Sequence, residues 1–389
     1  MMMLLFVLAA VLAAAQAILV PGPPGPFHVA MRVQGFTDTS RPDPFAPKDK
    51  PHPRRVLISV FLPIAPHRKY PVETVPYMPP QTAKVYGAQI AEVGLPNNTF
   101  ASFELEVSKL PTAGTKVKRH HEPPYPVVLF SPGFGVSRLL YNAEARALSS
   151  KGYVVVTIDH PYDASIVEFP DGVVFLSANI PLEDPATLVQ AIEVRAADVS
   201  FIIDQLHNSS VLRKLTDGYP GQVDLNKFAL YGHSLGGATA ATATLSDSRI
   251  LGGMNLDGHH YGPVVQKGLD RPFVLVGVPG HDAMPGSNWP ELYDNLRGAK
   301  MDLAVANTTH LSFLDGPLLL TTIDIPDKLK PGLDAVLGTI EGHRLEDIML
   351  GVLSGFLNLV FRGRAGGLRN IAKDFCEVTV VKSHLPGRK

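Results

Sequence analysis

One hexapeptide constrains the fold of this chain more than any other segment: Gly232-His233-Ser234-Leu235-Gly236-Gly237. The apolar run 228–231 before it predicts a short buried strand, and the small residues 238–243 after it can form a helix that packs against a sheet. A strand, a tight turn and a helix are the context in which a G-x-S-x-G motif forms a nucleophile elbow. We therefore expect Ser234 to hold a strained backbone conformation with its Oγ exposed, at a turn whose flanking glycines avoid backbone collisions.

Length and composition bound the class of protein. The 389 residues are enough for one large α/β domain or two smaller ones, and a hydrophobic content of 45% supports a sizeable core. A formal net charge of −1 gives no reason to expect nucleic acid as a partner. Cys376 is the single cysteine of the sequence, so an intrachain disulfide is excluded.

The N-terminal segment 1–20 is apolar and carries no charged side chain. Ala15-Gln16-Ala17 has the small-x-small pattern of a signal peptidase site, so residues 1–17 are predicted to be a cleaved signal peptide. The alternative is a signal anchor that stays in the membrane. We expect a secreted, extracellular protein in which residues 18–389 form a single catalytic domain. Three glycosylation sequons agree with secretion, at Asn97, Asn208 and Asn307.

Strands alternate with helices through most of the sequence. Continuous apolar runs predict strands over 28–33, 56–62, 126–130, 153–158, 250–256, 273–278 and 301–305, with a hairpin at 166–175. A helix is expected over 139–150, and Asp184 followed by Pro185 predicts the start of a long amphipathic helix. This alternation is typical of an α/β fold with a mostly parallel central sheet and helices on both faces.

Two segments are harder to interpret. The Pro-rich residues 70–100 predict no regular element and either cover the sheet or shape a substrate mouth. Residues 349–361 are apolar on nearly every face, which favours a last core helix. The alternative for this helix is a surface that makes transient contact with lipid.

A serine becomes a nucleophile when a base takes its proton and a carboxylate orients that base. His310 fits the base because it follows the strand 301–305, which we take as the last of the sheet. Two carboxylates at strand ends fit the acid. Asp257 follows the strand after the elbow, and Asp282 follows the next strand, which is the commoner place in such folds. Position alone favours Asp282, whereas Asp257 has the tight strand-then-glycine turn that holds a carboxylate still.

The oxyanion of a tetrahedral intermediate needs two preorganised N–H donors. One is the backbone N–H of Leu235, which begins the helix after the elbow. The second is expected from the loop Ser131-Pro132-Gly133-Phe134-Gly135, through the N–H of Phe134. Pro132 has no N–H and stiffens this loop.

These motifs together resemble one known family. The order Phe130-Ser131-x-Gly133-x-Gly135, the hexapeptide, Leu256-Asp257 and then His310 is similar to the platelet-activating factor acetylhydrolases of the lipoprotein-associated phospholipase A2 type. The resemblance is strongest to their secreted fungal-type relatives and covers residues 127–312. It implies an α/β-hydrolase fold and an esterase that cleaves glycerophospholipids with a short or truncated sn-2 acyl chain.

The resemblance also carries site residues over to this chain. It implies a triad of Ser234, His310 and Asp257, because that family takes its acid from the strand directly after the elbow. By position it also implies that Phe134 and Leu235 donate to the oxyanion. Pro132 and Leu235 depart from the mammalian enzymes, which have histidine and phenylalanine there, so the acyl-chain preference stays open.

Other functions remain as alternatives. A cutinase- or lipase-like carboxylesterase or polyester hydrolase shares the Gly-His-Ser-x-Gly-Gly motif, and a non-catalytic hydrolase-like binding protein is a third interpretation. We expect no cofactor and no metal site. His259-His260 and His281-Asp282 could ligate a metal, but adjacent side chains at a strand end point apart.

Overall fold

The computed structural model describes residues 17–111 and 122–387. The predicted signal peptide, apart from Ala17, lies outside the described residues. Within these ranges, no helix is both long and apolar enough to cross a membrane.

A nine-stranded sheet forms the centre of the molecule, in the order β2-β3-β7-β6-β10-β11-β12-β13-β14. The six central strands β7, β6, β10, β11, β12 and β13 run parallel to one another. The flanking strands β2, β3 and β14 are antiparallel to their neighbours. The strands are β2 His28–Pro42, β3 Pro53–Ile64, β6 Tyr125–Ser131, β7 Val154–Asp159, β10 Val223–His233, β11 Ile250–Leu256, β12 Phe273–Gly277, β13 Lys300–Val305 and β14 Val378–His384. The predicted strands and the mostly parallel sheet are confirmed. Strand β13 is not the last of the sheet, because β14 follows it and pairs at its edge.

Smaller strands lie outside this sheet. Strands β1 Ile18–Leu19, β4 Val72–Pro76 and β5 Phe103–Ser108 form a three-stranded sheet, and β8 Ile166–Glu168 with β9 Val174–Leu176 form the predicted hairpin. The Pro-rich segment 70–100 therefore contains regular elements, namely β4, helix α1 Pro80–Ala91 and the start of α2 Thr99–Ser102.

Helices cover both faces of the large sheet. They are α3 Asn142–Ser149, α4 Pro185–His207, α5 Ser209–Leu215, α6 Leu235–Ser246, α7 Val264–Lys267, α8 Trp289–Asn295, α9 Gly316–Leu320, α10 Lys330–Leu337, α11 Gly342–Arg362 and α12 Gly366–Asp374. Successive residues of β6 point to opposite faces of the sheet. Val127 packs in the cluster that includes α4, and Val128 packs in the cluster that includes α3 and α11. Asp184 caps α4 as predicted, since its carboxylate accepts the N–H of Thr187 at 2.9 Å.

Helix α11 contains the apolar segment 349–361 and is a core helix. Its apolar residues are buried against the sheet and against α12. This burial favours the predicted core helix over the lipid-contact alternative for the same segment. A hydrophobic stripe of this kind contributes to stability mainly through the apolar area that it removes from water.

Three carboxyl groups meet where α3, α11 and the start of α9 come together. Glu144, Asp315 and Glu346 line a small cavity of about 40 Å³. Asp315 accepts hydrogen bonds from two backbone N–H groups of α3 and from the Tyr77 hydroxyl. Burial raises the pKa of Glu144 to about 8 and that of Glu346 to about 7. The cluster therefore takes up protons in the folded state at neutral pH.

We expect the free energy of unfolding to fall by several kcal/mol as the pH rises between about 4.5 and 8, because of this cluster. The raised pKa values mean that the folded state holds these protons more tightly than the unfolded chain. Their stabilisation is complete below the ordinary pKa and is lost as the pH passes the folded value. Urea unfolding at pH 5 and pH 8 measures this slope. Glu144→Gln should flatten it, whereas Glu92→Gln at an exposed position should not; equal slopes in both variants would contradict the assignment.

Candidate active site

Ser234 lies at the turn between β10 and α6, and its backbone is strained. Its φ is 55° and its ψ is −123°, a conformation that non-glycine residues rarely adopt. The flanking glycines are required by space: a Cβ on Gly232 would lie 2.2 Å from the Gly236 carbonyl oxygen, and one on Gly236 would lie 1.9 Å from the Ser131 carbonyl oxygen. The turn thus has the sharpness that the hexapeptide predicts.

A hydrogen-bonded chain joins Ser234, His310 and Asp257. The Ser234 Oγ lies 3.0 Å from Nε2 of His310, and Nδ1 of the same ring lies 2.7 Å from Oδ2 of Asp257. Because a carboxylate can only accept, Nδ1 carries the proton and Nε2 is left to accept the serine hydroxyl. This tautomer is the one that a general base needs.

Asp257 sits in a tightly built turn at the end of β11. Its own φ is 53°, and the next residue must be glycine because a Cβ on Gly258 would lie 2.0 Å from the Ser234 carbonyl oxygen. The side chain of Asn255 closes the turn through hydrogen bonds to both the N–H and the C=O of Gly258. The carboxylate is 2% exposed, and its Oδ1 accepts the N–H of Val278 at 2.9 Å.

A second histidine contacts the same carboxylate. Nδ1 of His281 lies 2.7 Å from Oδ1 of Asp257, on the side away from His310. Burial alone would raise the pKa of Asp257, but the contacts with His281 and His310 and the N–H of Val278 outweigh it and hold this pKa well below its usual range. Asp257 is therefore ionised at any pH at which the protein would work.

The structure brings Asp257, and not Asp282, to His310. Asp282 lies in the short 3-10 turn His281–Ala283 after β12. There its negative charge adds to the effect of burial in raising the pKa of Asp302. The neighbouring His281 was not singled out as a partner of Asp257 from the sequence. The sequence does not indicate this contact, because it forms only where the turns after the neighbouring strands β11 and β12 meet at the same edge of the sheet.

The loop after β6 presents Phe134 beside the elbow. The N–H of Gly133 is already used, since it donates to the Tyr141 hydroxyl at 3.2 Å. Leu235 is the first residue of α6, where a backbone N–H has no intrahelical acceptor. Phe134 and Leu235 line one pocket with Ser234, as expected for the two oxyanion donors.

His233 connects the loop 131–135 after β6 to the segment that carries His310. Its Nε2 lies 2.9 Å from the His310 carbonyl oxygen, so Nε2 carries the proton and donates. Nδ1 must then accept the Tyr141 hydroxyl at 2.8 Å, and the same hydroxyl oxygen accepts the N–H of Gly133. Burial lowers the pKa of His233 to about 3, so this chain of donors keeps one protonation state. The sequence alone did not assign this role to either His233 or Tyr141.

We expect Tyr141→Phe to lower kcat by about 10- to 100-fold, because small displacements of catalytic groups have effects of this size. The change removes the hydroxyl that holds the N–H of Gly133 and thereby fixes the neighbouring Phe134. Substrate affinity should change little, so kcat and KM measured on one ester separate the effect. Tyr153→Phe, on the far side of the core beside Phe361, is the matched control. Equal kcat values for the two variants would contradict the positioning role.

Arg195 of α4 holds the loop 131–135 through its backbone carbonyl groups. Its guanidinium donates to the carbonyl oxygens of Pro132 at 2.6 Å and Gly133 at 3.2 Å, and it pairs with Asp163 through two bonds. Arg195 is 1% exposed, so the ion pair and the carbonyl contacts satisfy a charge that burial would otherwise disfavour. The sequence shows only a charged residue in an apolar helix stripe.

A second Ser-His-Asp chain begins at Ser131, the last residue of β6, where the loop 131–135 starts. Ser131 Oγ lies 3.0 Å from Nε2 of His160, whose Nδ1 lies 2.9 Å from Asp198. Asp198 also pairs with Arg54 at 2.7 Å. All four side chains are buried, with exposures of 1% or less, so an ester cannot reach Ser131. This chain is a structural support of the fold.

The pocket around Ser234 has a volume of about 680 Å³. Leu182, Leu188, Leu235 and Tyr261 make its apolar wall, and His259, Thr308 and Thr309 add polar groups. Within residues 17–111 and 122–387, no three His, Cys, Asp or Glu side chains come together as a metal-binding cluster. The pocket thus presents a serine hydroxyl that is hydrogen-bonded to a histidine, and that histidine is hydrogen-bonded to a buried carboxylate.

One family model and several known proteins are similar to this chain. The family model for platelet-activating factor acetylhydrolase, isoform II, matches residues 88–170. A protein of Arthroderma benhamiae named "probable 1-alkyl-2-acetylglycerophosphocholine esterase" is 29% identical over 92% of this chain and 93% of its own length. The platelet-activating factor acetylhydrolase of Cavia porcellus is 24% identical over 49% of this chain and 48% of its own. The solved structure of a ferulic acid esterase from Streptomyces cinnamoneus superposes with a TM-score of 0.74 at 27% identity, over 95% of this chain and all of that one.

The fold is the α/β-hydrolase fold, and the chain is a carboxylic ester hydrolase. The particular resemblance predicted from the sequence is also confirmed: the chain is similar to the platelet-activating factor acetylhydrolases and to a fungal relative of them.

Proposed function

We propose that this esterase hydrolyses 1-alkyl-2-acetylglycerophosphocholine and related phospholipids with a short or truncated sn-2 acyl chain. The observation that carries the ester chemistry is the hydrogen-bonded chain from Ser234 through His310 to Asp257. The substrate class rests on the similarity to the Arthroderma benhamiae protein, which bears the name of this activity and matches 92% of the chain.

In the proposed reaction, Nε2 of His310 takes the proton of the Ser234 hydroxyl as Oγ attacks the ester carbonyl carbon. The carbonyl oxygen gains the negative charge and accepts the N–H groups of Phe134 and Leu235. Asp257 stabilises the imidazolium. The C–O bond to the alcohol then breaks, and His310 gives its proton to the leaving oxygen. Water, deprotonated by the same imidazole, then attacks the acyl carbon. The bond from that carbon to Oγ of Ser234 breaks, Oγ takes the proton back from His310, and the carboxylic acid leaves.

A cutinase- or lipase-like carboxylesterase is the second candidate. The superposed ferulic acid esterase is a reason to keep this second candidate, since it is named for esters of ferulic acid and not for a phospholipid. The binding-protein interpretation is disfavoured, because such proteins usually lose a triad residue and here the three side chains are within hydrogen-bonding distance.

One panel of substrates separates the candidates. We would compare 4-nitrophenyl esters of increasing acyl length with 1-alkyl-2-acetylglycerophosphocholine, measuring kcat/KM for each. The proposal expects hydrolysis of the phospholipid and a fall in kcat/KM as the acyl chain lengthens. Rapid hydrolysis of long-chain nitrophenyl esters without hydrolysis of the phospholipid would instead favour the carboxylesterase.

Secretion remains part of the proposal. The sequon residues Asn97, Asn208 and Asn307 are all exposed, which is compatible with glycosylation. Transient contact with a lipid surface also stays a prediction, and the burial of α11 means that another surface would have to make it.

A further inference from the structure

A second, strongly apolar cavity lies beside the catalytic pocket. Its volume is about 300 Å³. Helices α1 and α2 form one wall, and the segment that follows His310, including α9 and α10, forms the other. Representative lining residues are Ile90, Phe100, Leu311, Leu314, Leu333 and Val336. We call this space the apolar cavity.

The polar groups that line the apolar cavity already have partners. The Tyr86 hydroxyl accepts the N–H of Ser137 at 2.7 Å and donates to the Gly135 carbonyl oxygen. Gln89 donates to the Ser165 hydroxyl, and the Thr99 hydroxyl donates to the Pro96 carbonyl oxygen at 2.6 Å. Among the described residues, none with a formal charge lines the cavity. A charged or strongly polar ligand group would therefore lose its hydration there without compensation, whereas an aliphatic chain would not.

Phe134 connects the apolar cavity to the catalytic pocket, and Leu311 of the cavity wall is the neighbour of His310 in the chain. Phe134, the expected oxyanion donor, lines both the apolar cavity and the catalytic pocket. Leu311 directly follows His310 and lines the apolar cavity, whereas Leu235 lines only the catalytic pocket. The two spaces therefore meet at Phe134, with Leu235 in the wall of the catalytic pocket and Leu311 in the wall of the apolar cavity.

The direction of proton transfer decides which half of the ester points to which space. The oxygen of the leaving alcohol must lie near Nε2 of His310, because this nitrogen protonates it. The group attached to that oxygen therefore extends toward the His310 side, where Leu311 begins the wall of the apolar cavity. The acyl group extends toward Leu182, Leu188 and Leu235 instead.

We propose that the apolar cavity binds a long aliphatic chain carried by the leaving alcohol, and not the acyl chain that is cleaved. The inference rests on ester hydrolysis at Ser234 as proposed above. For a phospholipid substrate, this chain is the one on the glycerol carbon that is not hydrolysed. Burial of each methylene should raise kcat/KM by about fourfold until the cavity is full, which corresponds to about 0.8 kcal/mol.

The experiment uses n-alkyl acetates, in which the acyl group is constant and only the alcohol lengthens. We would measure kcat/KM from ethyl to decyl acetate below the concentration at which they aggregate. Ile90→Trp and Val336→Trp place a large ring in the apolar cavity from opposite walls. The readout is the ratio of octyl to ethyl acetate within each variant, so differences in folded fraction cancel. Val381→Trp, an equally exposed valine on edge strand β14, is the matched control.

We expect the control to keep the rise with alcohol length, and at least one filling variant to lower the octyl-to-ethyl ratio by tenfold or more. In the same variants, the dependence on acyl length in the 4-nitrophenyl series should be unchanged. An unaltered alcohol ratio in both filling variants would overturn the proposal, as would a loss confined to the acyl series. If 1-alkyl-2-acetylglycerophosphocholine is not hydrolysed but the alcohol effect is found, the phospholipid proposal fails and this inference stands.

Discussion

Ser234→Ala will abolish covalent labelling by a fluorophosphonate probe and lower kcat by about 10⁶-fold, the size seen when a serine protease loses its nucleophile. The reason is that Oγ of Ser234 lies 3.0 Å from the free acceptor Nε2 of His310, at the mouth of the catalytic pocket. The phosphonate must form a bond to an activated oxygen, and alanine has none. Labelling of the purified protein followed by peptide mapping measures the outcome.

The structure offers a matched control in its second Ser-His-Asp chain. Ser131→Ala removes a hydroxyl that also lies 3.0 Å from a histidine nitrogen, but one that is fully buried. This variant should keep its labelling and lose stability by about 1 to 3 kcal/mol, because Nε2 of His160 is left without its partner. Labelling that survives Ser234→Ala, or that disappears only in Ser131→Ala, would overturn the assignment of the nucleophile.

The elbow could be predicted from the sequence because its constraints are local. Gly232 is required by its contact with Gly236 in the same turn, and the apolar run before it is long enough to indicate a buried strand. The contact of Gly236 with Ser131 is not local, but the glycine itself belongs to the motif. The parallel strands and the cap at Asp184 could also be predicted from local patterns. By contrast, β14 was missed because an exposed edge strand has no continuous apolar run, and its residues after Val378 are exposed.

The supports of the site could not be predicted, because their partners are distant in sequence. Arg195 reaches the carbonyl oxygens of residues more than 60 positions earlier, and a charged residue in a helix indicates no acceptor by itself. The sequence indicates no partner for His160, because its chain to Ser131 exists only where β6 and β7 are neighbours in the sheet. The apolar cavity likewise depends on how α1 and α10 meet.

Asp257→Asn will lower kcat by about 10⁴-fold with little change in KM, whereas Asp282→Asn will leave kcat nearly unaltered. The asparagine side chain can present an N–H toward Nδ1 of His310, which favours the tautomer protonated at Nε2. That tautomer cannot accept the proton of Ser234, and the imidazolium loses the charge that stabilises it. Residue 257 would keep its place, because its Oδ1 position accepts the N–H of Val278 and the turn is closed by Asn255.

Both carboxylates follow neighbouring strands of the sheet, so the pair of variants tests the assignment of the acid directly. Sequence position favoured Asp282, the family resemblance favoured Asp257, and the contact of 2.7 Å with His310 is made by Asp257. The kcat values should be compared at matched folded fraction, since Asp257 also lies 2.7 Å from His281 and its change affects that buried ring. If Asp282→Asn is the crippled variant, the acid follows β12. The similarity to the acetylhydrolases then fails at its most diagnostic residue, and the lipase-like carboxylesterase becomes the better proposal.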